Sequence, residues 1–145
     1  MSTVREILGA KGSEVHQIDC RTSATEAVRR MVEANVGSMI VNKDDVICGI
    51  FTERDYLRRV VLEGRSPETP LTEVLTERLV AVDPERSIEE CMSIMTQERI
   101  RHLPVLEGTR LAGIVSIGDL VKHLSKEQAT ELRYLNDFIA GRYGA

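Results

Sequence analysis

The sequence predicts an α/β (α+β) fold: one β-α-β-β-α unit used twice and packed as a pseudo-symmetric pair, with an N-terminal segment and a C-terminal helix added. Three observations predict it. Gly49-Ile50-Phe51-Thr52-Glu53-Arg54-Asp55 returns 64 residues later as Gly113-Ile114-Val115-Ser116-Ile117-Gly118-Asp119. The same shift superposes Asp19 on Asp83, Ser23 on Ser87, Met31 on Met95 and Val41 on Val105 without a gap, so one supersecondary unit recurs. Each copy also carries a capping-box pattern ahead of an apolar stripe at helical spacing, and then two short apolar runs split by a polar turn.

The elements follow in order. Residues 4–8 form a short amphipathic segment, matched by residues 71–75 at a shift of 67, so three extra residues fall around Lys11-Gly12-Ser13. Residues 15–18 read as a strand. Ser23 and Glu26 open a helix whose Ala24, Ala27, Val28 and Met31 form the stripe, and Gly37 is its stop signal. Residues 38–41 and 46–51 are strands around the turn Asn42-Lys43-Asp44-Asp45. Thr52 opens a helix to about Glu63. In the second copy residues 79–82 are the strand and Asp83-Pro84 the turn. Ser87 and Glu90 open the helix striped by Ile88, Cys91, Met92 and Met95. Residues 103–106 and 111–115 are strands around Glu107-Gly108-Thr109-Arg110, and Ser116 opens the last helix of the unit. The copies span residues 3–64 and 71–125, joined by a linker at 65–70 with two prolines. Residues 126–145 are a C-terminal helix and tail. Their Ala129, Leu132, Leu135 and Ile139 recur at helical spacing and need a surface, the domain itself or a second subunit.

Composition narrows the function. The 145 residues are 42% hydrophobic and 29% charged, enough for one soluble domain with a core. Aromatics are 3% with no Trp, which disfavours single-strand binding by base stacking. The net charge of −4 gives no basic face for nucleic acid or anionic membrane. No apolar run approaches the ~20 residues of a membrane helix, and residues 1–9 have no signal-peptide core. The expected compartment is the cytoplasm, with an organelle after transit-peptide removal as the alternative. Cys20, Cys48 and Cys91 form no C-x-x-C. Cys48 and Cys91 read as buried apolar residues of a reducing compartment, and Cys20 as the exposed thiol.

The doubled G-I-x-[TS]-x-x-D, the run Arg101-His102-Leu103-Pro104-Val105 and the polar turns before each glycine resemble a tandem pair of cystathionine β-synthase (CBS) domains, a Bateman module, over about residues 3–125. The resemblance implies a cleft between the copies that binds an adenosyl ligand, AMP first, with ADP, ATP, NAD or S-adenosylmethionine as alternatives. It further implies a homodimer and the regulation of a partner protein. With no attached domain, the chain is similar to stand-alone members that act as energy or redox sensors.

The motif has a chemistry of its own. Thr52 or Ser116 at a helix start leaves a hydroxyl and free backbone N–H groups for an anion. Asp55 or Asp119, one turn in, can accept the two ribose hydroxyls. The bland alternative is a capping box with no ligand. The copies differ: Arg54 becomes Gly118, while Gly37-Ser38 becomes Arg101-His102. The expectation is one asymmetric phosphate pocket fed by Arg54 from one copy and by Arg101 or His102 from the other, with the Gly118 site poorer in phosphate ligands. Arg58 and Arg59 read as a solvated helix face. By family position Ile18 and Val82 flank the adenine, although core packing alone would explain both. Lys11 reads as a loop lysine within reach of a phosphate. His16, His102 and His123 form no metal cluster by spacing, and no nucleophile has a base beside it. The expectation is therefore a regulatory protein with no catalytic residue and no metal. The rivals are an interaction scaffold with degenerate sites, a nucleotide hydrolase and an RNA binder.

Overall fold

The structure is a computed structural model, and it describes residues 2–12 and 14–139. Ser13 and the predicted tail at 140–145 lie outside the described residues, and so does the side chain of Ile139. The chain divides into two compact units, one formed by Glu14–Val80 and the other by residues 2–12 with 81–139. These units cut across the sequence repeat. The segment before each copy belongs spatially with the opposite copy.

In the Glu14–Val80 unit, β1 (Gln17–Asp19) pairs parallel with β2 (Ser38–Lys43), which pairs antiparallel with β3 (Val46–Thr52). α2 (Ala24–Ala34) lies between β1 and β2 in the chain, a short crossover. The Ser23 hydroxyl accepts the Glu26 N–H at 3.1 Å, as the cap pattern predicts. The Glu26 carboxylate pairs with Arg29 and Arg30 instead of returning to the cap. Asn35, in the left-handed region at φ 55°, ends the helix in place of Gly37, and Arg99 does the same at φ 57° in the other unit. Ala24, Ala27 and Met31 of the predicted stripe pack on Ile18, Val41, Phe51 and Leu71 in one core. The hairpin turn tightens to Asp44-Asp45, both at positive φ, as a two-residue hairpin requires. After β3, one α-turn (α3, Glu53–Asp55) widens into a π-helical stretch, Tyr56–Val61.

The other unit repeats the plan with α4 (Ile88–Glu98), β4 (His102–Glu107) and β5 (Arg110–Ser116). The predicted strand at 79–82 does not form. Only Val82 bridges to Val105, through bonds to Pro104 and from Leu106. The reason is chemical. In the first copy the flanking ladder bonds run from Ile40 N–H to the His16 carbonyl and from Cys20 N–H to the Asn42 carbonyl. The matching donors are Pro104 and Pro84, which have no N–H.

α1 (Val4–Lys11) buries Val4 and Ile7 in this second unit. Val4 N–H donates to the Arg86 carbonyl, Arg5 N–H to Pro84 and Ile88 N–H to Ser2. In the first unit Leu71 N–H donates to Thr22, Thr72 N–H to Cys20 and Ala24 N–H to Thr69. The two segments are thus zipped onto their units by the same three bonds. α1 runs on to Lys11, whereas its counterpart is one tight turn at Leu71–Glu73. The two predicted C-terminal helices are a single one, α5 (Ile117–Ile139). Leu132 and Leu135 of its stripe are 61% and 54% exposed.

These segments explain the glycine that opens each motif. A Cβ on Gly49 would fall on the backbone carbonyl of Thr76, and one on Gly113 on the Leu8 side chain. Leu8 matches Leu75 at the 67-residue shift, and Leu75 also crowds Gly49.

Candidate functional site

Each unit presents the predicted constellation at the end of its hairpin. Thr52 closes β3, and its hydroxyl accepts the Asp55 N–H at 3.2 Å while Asp55 Oδ2 accepts the Thr52 N–H at 3.0 Å. Ser116 and Asp119 repeat this, with the Ser116 N–H at 2.8 Å from Asp119 Oδ2 and the Asp119 N–H at 3.2 Å from the Ser116 hydroxyl. Both pairs are reciprocal capping boxes. The Gly37 carbonyl accepts the Glu53 N–H, and the Arg101 carbonyl accepts the Ile117 N–H. One of the helix-start donors is thereby used inside each unit, and the hydroxyl-and-carboxylate pair is fixed in position.

The carboxylates sit in different surroundings. Asp55 is only 7% exposed. Its Oδ1 accepts the Thr76 hydroxyl at 2.9 Å, with Arg59 Nε at 3.9 Å. Burying a carboxylate is costly without such partners. Arg59, expected on a solvated face, instead reaches the carbonyl of Leu75 at 2.5 Å. Thr76 and Arg59 are the site neighbours that sequence reading missed. Thr76 had no visible signal, because only the fold brings residues 71–76 to β3. Arg59 stands one helical turn after Asp55, and that spacing was a usable signal.

Asp119 has a lysine instead. Lys11 Nζ lies 2.6 Å from Asp119 Oδ2 and 2.9 Å from the Ile114 carbonyl. Burial pushes the Asp119 carboxyl up, but Lys11 and the Ser116 N–H outweigh it and hold it below its ordinary value of 3.8. Lys11 is therefore not a loop residue. It ends α1 and brings a positive charge to the copy whose Gly118 brings none.

The other predicted residues fall as follows. Ile18 and Val82 are buried within their units, at 3% and 4% exposure. Arg54 is an exposed residue of α3, and Arg101 is exposed just before β4. His102 opens β4 directly across from Ser116. Cys20 is not the exposed thiol. It and Cys91 are buried, Cys48 is the half-buried one, and burial pushes the Cys91 thiol up to about 11. Among the described residues, His123 gathers with Glu6 and Glu127 as a group of metal-ligating type.

A helix–hairpin–helix unit used twice, with a Thr/Ser–Asp pair at the end of each hairpin, defines a tandem pair of like modules. The CBS-domain family model matches residues 4–62 and 68–126. The chain belongs to the CBS-domain family, as two domains in tandem. It is 38% identical to the mitochondrial CBS domain-containing protein CBSX3 of Arabidopsis thaliana, covering 98% of this chain and 74% of that one. It is 35% identical to the CBS domain-containing protein YhcV of Bacillus subtilis, covering 89% and 91%. Among solved structures, a CBS-domain protein from Burkholderia ambifaria superposes with a TM-score of 0.85 at 43% identity, covering 88% and 96%. No helix among the described residues is long and apolar enough to cross a membrane.

Proposed function

We propose that this protein binds an adenosine-containing ligand at its Thr52/Asp55 and Ser116/Asp119 pairs, and that occupancy regulates a partner protein. The observation that carries the reading is the duplication of one hydroxyl–carboxylate geometry at the end of each hairpin. A carboxylate so fixed can accept ribose hydroxyls at little entropic cost. The Asp119 copy is the stronger of the two. Both its backbone and its lysine bonds fall on Oδ2, so the ribose is assigned to Oδ1 and a phosphate to Lys11. Asp55, already bonded by Thr52 and Thr76 with Arg59 beside it as an ion pair, is the weaker site. Arg54, Arg101 and His102 are proposed as phosphate contacts, and Ile18 and Val82 as the apolar boundary of the base. AMP is the first ligand proposed, ahead of ATP, NAD and S-adenosylmethionine. The CBS-domain pair of protein MJ0100 shares the fold at a TM-score of 0.77 and 17% identity, and was solved with 5′-methylthioadenosine and S-adenosylmethionine.

A second copy of the chain is proposed as a further partner, through the exposed Leu132, Tyr134 and Leu135 of α5. A CBS-CP12 protein 30% identical to this chain is hexameric. The role is regulatory, not catalytic. Calorimetry with AMP, ATP, NAD and S-adenosylmethionine tests the reading. One of them should bind, with Asp119→Ala weakening it at least tenfold and Arg54→Ala and Lys11→Met weakening only the phosphorylated ligands. If none of these ligands binds folded, nucleotide-free protein, the sites are scaffolding. Turnover of ATP or NAD would point to a hydrolase instead.

A further inference from the structure

A second polar cluster lies in the unit of the second copy and takes no part in the hydroxyl–carboxylate sites. His123 and Glu127 stand one turn apart on α5, so they share a helix face. Glu6 of α1 meets them there. The ligand-type atoms of all three lie within 4.8 Å of one another. His123 Nε2 is 3.3 Å from Glu127 Oε1 and 3.8 Å from Glu6 Oε2.

The distances fit a metal better than a proton. A tetrahedral zinc with bonds of about 2.0–2.1 Å separates its ligand atoms by about 3.4 Å. His123 Nε2 is shut off from solvent and makes no hydrogen bond, although two carboxylates stand beside it. Glu127, at 3.3 Å, is not placed to accept an Nε2–H bond, and Glu6, at 3.8 Å, is too far away to accept one. Ligands of a tetrahedral ion stand in that relation, because the ion occupies the imidazole axis and the oxygens flank it. The Ser2 hydroxyl donates to Glu127 Oε1, which orients this carboxylate and favours its ionised form, as supporting bonds do at metal centres.

We propose that Glu6, His123 and Glu127 form a zinc site that pins α1 to α5. The imidazole selects against calcium and magnesium, which take oxygen ligands. Three protein ligands leave the fourth position to water. Glu6 is the exposed member and closes the site by side-chain rotation. The proposal is independent of the nucleotide reading, since none of the three residues belongs to either Thr/Ser–Asp pair.

Titration of the tag-free full chain with zinc chloride tests it, with cobalt(II) substitution as a spectroscopic readout. One zinc per chain is expected, together with the visible absorption of tetrahedral cobalt. His123→Gln and Glu6→Gln should each weaken zinc at least tenfold and abolish the cobalt spectrum, while Cys48→Ser leaves both unchanged. Glu6 is exposed, so its variant keeps the fold and isolates the loss of a ligand. Absence of saturable zinc binding would overturn the site and leave His123 as an ion-pair partner. So would binding that survives both variants, or that is lost with Cys48.

Discussion

At the scale of single residues, the motif glycines and Lys11 carry the sharpest consequences. Gly49 and Gly113 are equivalent in sequence but not in what they face. Gly49 abuts backbone, which cannot turn away, while Gly113 abuts the end of a leucine side chain, which can. Gly49→Ala should therefore cost more than Gly113→Ala, by about 1–3 kcal/mol, and urea unfolding of both variants measures the difference. Equal costs would show that residues 71–76 are not held against β3. Lys11 gives a pH dependence. The folded-state carboxyl of Asp119 sits below 3.8, so its contribution is present above that value and lost as pH falls through the lower one. Lys11→Met should be less stable than wild type at pH 7, and the gap should shrink as pH falls below 3.8. A gap independent of pH would mean that Lys11 acts through packing alone. The Thr/Ser–Asp pairs themselves were legible in the sequence because their spacing is local. Lys11 beside Asp119 was not, since 108 residues separate them and only the docking of α1 joins them.

At the scale of elements, the helices, hairpins and caps were legible because their periods and polar turns are local signals. The lost strand at 79–82 was misread although both causes were in view. Its apolar run matches that of β1, and the two prolines that remove the ladder donors stand outside it. Pro104→Ile should restore the donor. Hydrogen exchange should then show the new amide at position 104 protected by the Val80 carbonyl, as the Ile40 amide is by His16. Free exchange at that amide would show that something other than the missing N–H keeps the segment apart. The helix end at Asn35 was missed in favour of Gly37, because asparagine also tolerates the left-handed conformation. The merging of two predicted helices into α5 was hidden too, since Ser125, an exposed residue inside the helix, marks neither a stop nor a continuation.

At the scale of the whole molecule, the sequence repeat and the compact unit are different divisions. The shift of 67 for residues 4–8 against 64 elsewhere was visible, but which copy each segment serves was not. That exchange follows from the matched backbone bonds at Val4, Arg5 and Ile88 and at Leu71, Thr72 and Ala24. It also makes the two Thr/Ser–Asp pairs unequal: α1 brings Lys11 to one, and the tight turn at Leu71–Glu73 leads Thr76 to the other. The most direct test of the central claim is calorimetry of wild type, Asp55→Ala and Asp119→Ala with AMP and S-adenosylmethionine. The account predicts saturable binding of at least one of them, weakened most by Asp119→Ala, and a stability gain of about 2.7 kcal/mol at a hundred times the Kd. Binding left intact by both variants, or absent from folded protein stripped of nucleotide, would contradict it.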